Sequence, residues 1–478
     1  MSARAPLLLL ASLALAALAA TPAQWRSRSI YQVLTDRFAA AGAPPAPCSD
    51  LHSYCGGTWA GLAQQLDYIA ALGFDAVWIS PVVDNWVGGY HGYWQRKMHA
   101  PNANFGQWAD VQALAAALHA RGMLLMVDVV ANHAYTDGDV SLNEPFSDPA
   151  QYHDCSGCPA GCSVNDYENL PQMEHCRLAG LMDFDQSDPA GAVATQLYEW
   201  IAFLVNSTGA DGLRVDTVPY VHPAFWKRFE AAAGVYAVGE VDSGDLGFAA
   251  PFQGQALSGI LSYPLFFVLR SVFQAKGSMR QLGSAWRAGQ AAWGDLSLLA
   301  TFTDNHDNPR FSAGQADEAL YRAALAYGLL SDGIPIVYYG SEWLFHGGGD
   351  PECREAFWDG AAYNATAAPL GPFLATLNAH RSRAALWEGL QLERWQDDSF
   401  YAFTRGNATL AAFTNVGSGG GRQQRSVTYL PEAWPPGTVL CNALDCSDCI
   451  VVEAGPVAQV GVSAEAGVAV YSTLVEKC

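Results

Sequence analysis

Basic charge is scarce in this chain: 25 Lys and Arg face 46 Asp and Glu, a formal net charge of −21 over 478 residues. Such a surface repels phosphate backbones and anionic headgroups, so nucleic acid and membrane are excluded as main partners and a neutral, sugar-like substrate is favoured. Long apolar runs are equally scarce. Past the first twenty residues none reaches the roughly 20 apolar residues a spanning helix needs, and the C-terminal VEKC carries no lipid-anchor tail. No internal repeat or low-complexity linker interrupts the chain.

What is present begins with MSARAPLLLLASLALAALAA, one basic residue followed by an apolar run that ends in small residues. This reads as a secretory signal peptide over residues 1–20, so the mature protein is expected outside the cell, as a monomer. Three N-x-S/T sequons, at Asn206, Asn364 and Asn407, agree with export. Eleven cysteines in an oxidising compartment should be mostly paired, with one left over. Cys155, Cys158, Cys162 and Cys176 also have metal-site spacing, but export favours disulfides there.

Short β-branched or aromatic runs alternate with longer amphipathic stretches. Residues 29–34, 76–80, 124–130, 212–216, 236–241, 259–263, 298–303 and 334–339 are eight strand candidates. Eight strands alternating with helices predict a closed (β/α)8 TIM barrel with its active site at the C-terminal ends of the strands. The expected division is a catalytic barrel over residues 21–130 and 187–385, and an inserted Cys-, Gly- and Pro-rich domain over 131–186 after strand three. Short strands separated by Gly- and Pro-rich turns then predict a C-terminal antiparallel β-sandwich over 386–478.

The run GLRVD places two charges in a strand. Side chains alternate across a strand, so Arg214 and Asp216 share one face opposite Leu213 and Val215. Asn132 and His133 follow strand three, Glu240 ends strand five, and His306 and Asp307 follow strand seven. Three carboxylates therefore meet at one mouth. Crowded like charges cost free energy, so a fold keeps them for chemistry or metal binding. Asp216 beside Arg214 should stay ionised, whereas Glu240, ending the apolar run VYAVGEV, should be harder to ionise. Two carboxyl groups in different protonation states are what glycoside hydrolysis requires.

VDVVANH, GLRVDTV, VGEV and FTDNHDNPRF resemble, in order and spacing, the four motif regions of the α-amylase family of glycoside hydrolases. The flanking TDRFA, CGGTW, YHGYWQ, DGIPIVYYG and GGGDPECRE are most similar to its secreted fungal, Taka-type members. The resemblance implies a retaining, endo-acting hydrolase of α-1,4-glucosidic bonds in starch- or glycogen-like polymers or oligosaccharides. A 4-α-glucanotransferase on the same scaffold stays open, since the motifs do not separate water from a sugar hydroxyl as acceptor. A non-catalytic glycan-binding relative is disfavoured by the presence of all three carboxylates.

Residue by residue, the resemblance implies Asp216 as nucleophile, Glu240 as general acid/base and Asp307 as the carboxylate that grips sugar hydroxyls, with the retaining pair about 5 to 5.5 Å apart. His133, His306 and Arg214 match groups that hydrogen-bond the sugar at the cleavage point, and Tyr93 and Trp94, beside His91, match an aromatic platform. Asp350 and Arg354 match contacts further along the glycan, and Gly244 one just past the acid. A structural Ca2+ is implied between insertion and barrel, held by Asn132, Glu174, Asp183 and the backbone carbonyl of Tyr220, oxygen donors suited to a hard cation. Family pairs Cys48–Cys55 and Cys162–Cys176 are implied, which leaves Cys155–Cys158 as an extra bridge and Cys353 as the free thiol. Cys441, Cys446, Cys449 and Cys478 stay unassigned. The chain departs from the family at Pro219-Tyr220, where Lys-His is usual.

Overall fold

A computed structural model describes residues 20–475, apart from residues 44, 429–433 and 456. Most of the expected signal segment, residues 1–19, and Cys478 lie outside the described residues. Eight parallel strands follow one another: β1 (Ile30–Val33), β2 (Ala76–Ile79), β3 (Leu124–Val129), β4 (Gly212–Val215), β5 (Tyr236–Gly239), β6 (Gly259–Ile260), β7 (Ala300–Thr301) and β8 (Ile334–Tyr338). They form one sheet in the order β6-β5-β4-β3-β2-β1-β8-β7, and a parallel bridge from Leu261 to Ala300 closes it into a barrel.

Strand alternation divides the apolar residues into two cores. Ile30, Ala76, Leu124, Met126, Tyr236, Val238, Ile334 and Ile336 point into the barrel. Tyr31, Val33, Val77, Ile79, Leu125, Val127, Leu213 and Val215 point outward, to the surrounding helices. At the N-terminal end Trp25 plugs the barrel: a Cβ on Gly212 would stand 2.6 Å from its ring, so only glycine fits. Along the inward rows the residues turn polar toward the C-terminal ends, where Gln32, Asp128 and Arg214 are all buried. The helices are bounded by local signals. Pro223 opens Pro223–Ala233 and Gly234, at φ 68°, ends it, while Gly209, at φ 71°, ends Ala192–Thr208.

Between β3 and Ala192–Thr208 the chain makes short turns tied by a two-stranded pairing of His133–Ala134 with Met182–Asp183. The expected bridges Cys162–Cys176 and Cys155–Cys158 do not form here. The pairs are Cys155–Cys162 and Cys158–Cys176. Gly157 and Gly161, both at φ 82°, double the loop back and bring Cys162 beside Cys155, leaving Cys158 for Cys176. Cys48–Cys55 forms as expected and Cys353 is free and buried. Cys441 pairs with Cys449, and Cys446 is also disulfide-bonded.

A six-stranded antiparallel sheet, running from Gln391–Gln396 to Val468–Ser472 in sequence, covers one side of the barrel. Its strand Phe400–Arg405 is buried on both faces. Phe400 and Ala402 pack toward the two-stranded sheet of Gln423–Thr428 and Val457–Val462, whereas Phe403, with Phe413, packs on Tyr327 of the helix Glu318–Leu330. Among the described residues no helix is long and apolar enough to cross a membrane.

Candidate active site

Arg214, at the end of β4, organises the barrel mouth. Its Nη1 donates to Asp128 at 3.0 Å and to Asp216 at 2.8 Å, and its Nη2 stands 2.9 Å from Glu240 Oε1. The guanidinium is fully buried, over the rings of Trp78 and Tyr93. Asp128 and Arg214 are register partners on β3 and β4, so the ladder itself sets the ion pair. The nucleophile candidate and the acid candidate thus sit on the two ends of one planar fork, whose geometry fixes both carboxylates.

Glu240 is gripped by the turn that follows β4. Its backbone N–H donates to Val215 O at 2.8 Å, its carbonyl accepts from Val218 N at 3.0 Å, and its Oε2 accepts from Thr217 N at 3.1 Å. Thr217 adopts φ 51°, a conformation β-branched residues rarely take, and the turn it makes aims two successive N–H groups at one glutamate. Burial pushes the Glu240 carboxyl well above the usual range; Asp216 and Asp307 push it further, against the pull of Arg214. Asp307 goes the other way. Burial works against its charge, but His306, Arg354 and Arg214 together hold the carboxyl below its ordinary value.

The sugar-contact candidates line this mouth. Gln32 Nε2 donates to His306 Nδ1 at 2.8 Å, so the His306 proton sits on Nε2, 2.6 Å from the Tyr93 hydroxyl, which donates to Asp128 Oδ2 at 2.8 Å. Burial lowers His306 to about 4 and His91 to about 3, which keeps both neutral. His91, Tyr93 and His306 form a continuous stack, and Trp94 stacks on Tyr135 with centroids 4.6 Å apart. His133 is buried, its charged form disfavoured by that burial, and among the described residues its Nε2 meets no partner at hydrogen-bond geometry. Arg354 is buried, donating to the His306 carbonyl at 2.8 Å, Tyr90 at 3.2 Å and Asp307 at 3.2 Å, with exposed Asp350 at 2.8 Å. It therefore braces Asp307. Gly244 lies at the exposed edge, where a Cβ would stand 3.1 Å from Phe267.

A family model described as the α-amylase catalytic domain matches residues 32–155 and 173–388. The α-amylase 1 of Lipomyces kononenkoae is 41% identical over 385 residues; the match covers 76% of this chain and 60% of that relative's length. The α-amylase 2 of Schwanniomyces occidentalis is 36% identical, with 85% and 83% covered. The structure of an α-amylase from Malbranchea cinnamomea superposes with a TM-score of 0.88 at 37% identity, over 95% of this chain and 97% of that one. The chain belongs to the α-amylase family of glycoside hydrolases.

The α-amylase barrel and its insertion meet at three of the four expected metal ligands. The Asn132 amide lies 3.0 Å from Asp183 Oδ1 and 3.2 Å from the Tyr220 carbonyl oxygen. With its oxygen turned toward them, three acceptors converge without a donor, the set a hard cation takes; with its nitrogen turned in, the amide donates to both. His153 Nδ1 braces the other Asp183 oxygen at 2.6 Å. Half-buried Glu174 follows the helix Leu170–Met173, which packs on the turn Val218–Tyr220. Among the described residues no three His, Cys, Asp or Glu side chains stand at metal spacing, so an ion here relies on amide and carbonyl oxygens.

Asp128, Gln32, Tyr263 and Asn305 escaped sequence reasoning. Asp128 sits in an apolar strand just as Arg214 does, and the same question, why a charge in a buried strand, would have found it. The other three carry no charge and no spacing signal.

Proposed function

We propose that the chain is a secreted, retaining, endo-acting hydrolase of α-1,4-glucosidic bonds in starch- or glycogen-like α-glucans. The observation that carries this reading is Arg214 holding Asp216 and Glu240 on one guanidinium, in a site whose burial pushes the Glu240 carboxyl well above its ordinary range. Asp216 attacks C1 of the sugar while Glu240 gives its proton to the departing glycosidic oxygen, leaving a glycosyl ester on Asp216. Glu240, now a carboxylate, takes a proton from the incoming water, whose oxygen bonds C1 and releases Asp216 with net retention. Asp307, held ionised, grips sugar hydroxyls; His133, neutral with a free Nε2, and His306 do the same for the sugar at the cleavage point, as does Arg214. His91, Tyr93 and Trp94 supply the stacking face, and Gly244, Asp350 and Arg354 flank the glycan further out.

The proposed organisation is a barrel over 21–130 and 187–385, the insertion over 131–186 and a C-terminal sandwich over 386–478, with glycans at the exposed sequons. Asn132, Glu174, Asp183 and the Tyr220 carbonyl would hold Ca2+, whose contribution is to tie insertion to barrel. Four bridges among the described residues fit an extracellular protein.

Asp216→Asn, Glu240→Gln and Asp307→Asn should each lower starch cleavage by at least about 100-fold with an unchanged melting curve, because catalytic groups that act as a unit fail together. A variant that keeps more than about a tenth of the native rate, where such a loss is expected, removes its residue from the assignment.

A further inference from the structure

The two oxygens of Glu240 are not equivalent. Oε1 stands 2.9 Å from Arg214 Nη2 and receives the Tyr263 hydroxyl at 3.4 Å. Among the described residues, Oε2 receives only the Thr217 backbone N–H, at 3.1 Å. A carboxyl oxygen offers two lone-pair directions, so Oε1 is filled and Oε2 keeps one place open.

Tyr263 has little freedom to point elsewhere. It is fully buried, its ring set against Phe266 and Phe302 with centroids 5.8 and 5.1 Å away. Its oxygen accepts the Asn305 Nδ2–H at 2.9 Å, which leaves the hydroxyl proton for Glu240. Asn305 is fixed in turn, because its Oδ1 accepts the N–H groups of Asp307 at 3.1 Å and Asn308 at 3.0 Å. A line of contacts therefore runs from the backbone of the third carboxylate to the acid itself. The 3.4 Å contact is long, as such contacts commonly are before substrate binds.

We propose that Tyr263, oriented by Asn305, is a positioning residue that fills the second lone pair of Glu240 Oε1 and so places the transferable proton on Oε2. This rests on the reading of Glu240 as acid/base. As the C1–O bond breaks, the Oε2 proton passes to the glycosidic oxygen, which keeps the bonding electrons, and Asp216 takes C1. The negative charge left on Glu240 strengthens both contacts to Oε1. In the second half, water returns a proton to Oε2 while its oxygen bonds C1 and frees Asp216. Without the hydroxyl, the proton is free to reside on Oε1, which Arg214 holds in place.

The test compares kcat/KM of Tyr263→Phe and the native enzyme on maltoheptaose and on a nitrophenyl maltotrioside, whose leaving group departs with little help from an acid. Tyr263→Phe should lose roughly tenfold on maltoheptaose, the scale of one hydrogen bond, and less than about twofold on the aryl substrate, where acid help is not at stake. Equal losses on both substrates, the result of a general packing defect, overturn the proposal, as does no loss on either. A melting curve records the state of the fold. Glu240→Gln is run alongside: if it too loses equally on both substrates, the acid/base reading itself fails. If it discriminates while Tyr263→Phe does not, only the role of Tyr263 falls.

Discussion

Glu240 and Asp307 share one cleft yet are driven in opposite directions. Burial and two neighbouring carboxylates raise Glu240, whereas His306, Arg354 and Arg214 overcome burial at Asp307 and lower it. With Glu240 as the proposed acid, activity should be lost as pH rises through the Glu240 pKa, and that limb should lie above the ordinary carboxylate range of about 4.3. Asp307 is one of the charges that raises Glu240. Asp307→Asn should therefore move the alkaline limb of its residual kcat/KM to lower pH, measured on maltoheptaose at high enzyme concentration; an unmoved limb contradicts the coupling. At this scale the sequence spoke where charge broke an apolar pattern, at Arg214, Asp216 and Glu240, and offered the same signal, unused, at Asp128. It was silent where a neutral side chain acts through geometry, as Tyr263, Asn305 and Gln32 do.

Single elements serve two duties in the turn after β4. Val218 donates to the Glu240 carbonyl, and two residues later the Tyr220 carbonyl faces the Asn132 amide, which also reaches Asp183. An ion bound there would hold the turn that holds the acid. Stripping Ca2+ should lower the melting temperature, since a ligand bound only by the native state stabilises it by about 2.7 kcal/mol at a hundredfold excess over Kd. Differential scanning calorimetry in chelator and in added Ca2+ measures this. An unchanged melting temperature at zero metal content would remove the ion from these residues. Element boundaries were less legible than element types. Residues 259–263 and 298–303 read as full strands, but β6 and β7 are two residues each, because Tyr263 and Pro264 begin a helix and Thr303 leads into the Asn305 turn. Disulfide partners in the insertion depended on two left-handed glycines that spacing does not reveal.

Across the whole molecule, two apolar layers and one polar mouth arise from a single alternation repeated around the barrel, while the eight strands were readable from the chain alone because short β-branched or aromatic runs alternate with longer amphipathic stretches. The C-terminal sheet shares a core with the barrel through Tyr327, Phe403 and Phe413, and its short strands between Gly- and Pro-rich turns were likewise visible in sequence. The choice between water and sugar as acceptor is a property of the entire cleft and has no local signature; Pro219 and Tyr220 mark only where the chain departs from its relatives. Proton NMR of soluble starch during digestion reads this outcome directly. New reducing ends should accumulate with chains of many lengths, and their anomeric protons should appear first in the α configuration before mutarotation. Initial β anomers would contradict the retaining mechanism, and chains redistributed without a rise in reducing ends would show a transferase in place of a hydrolase.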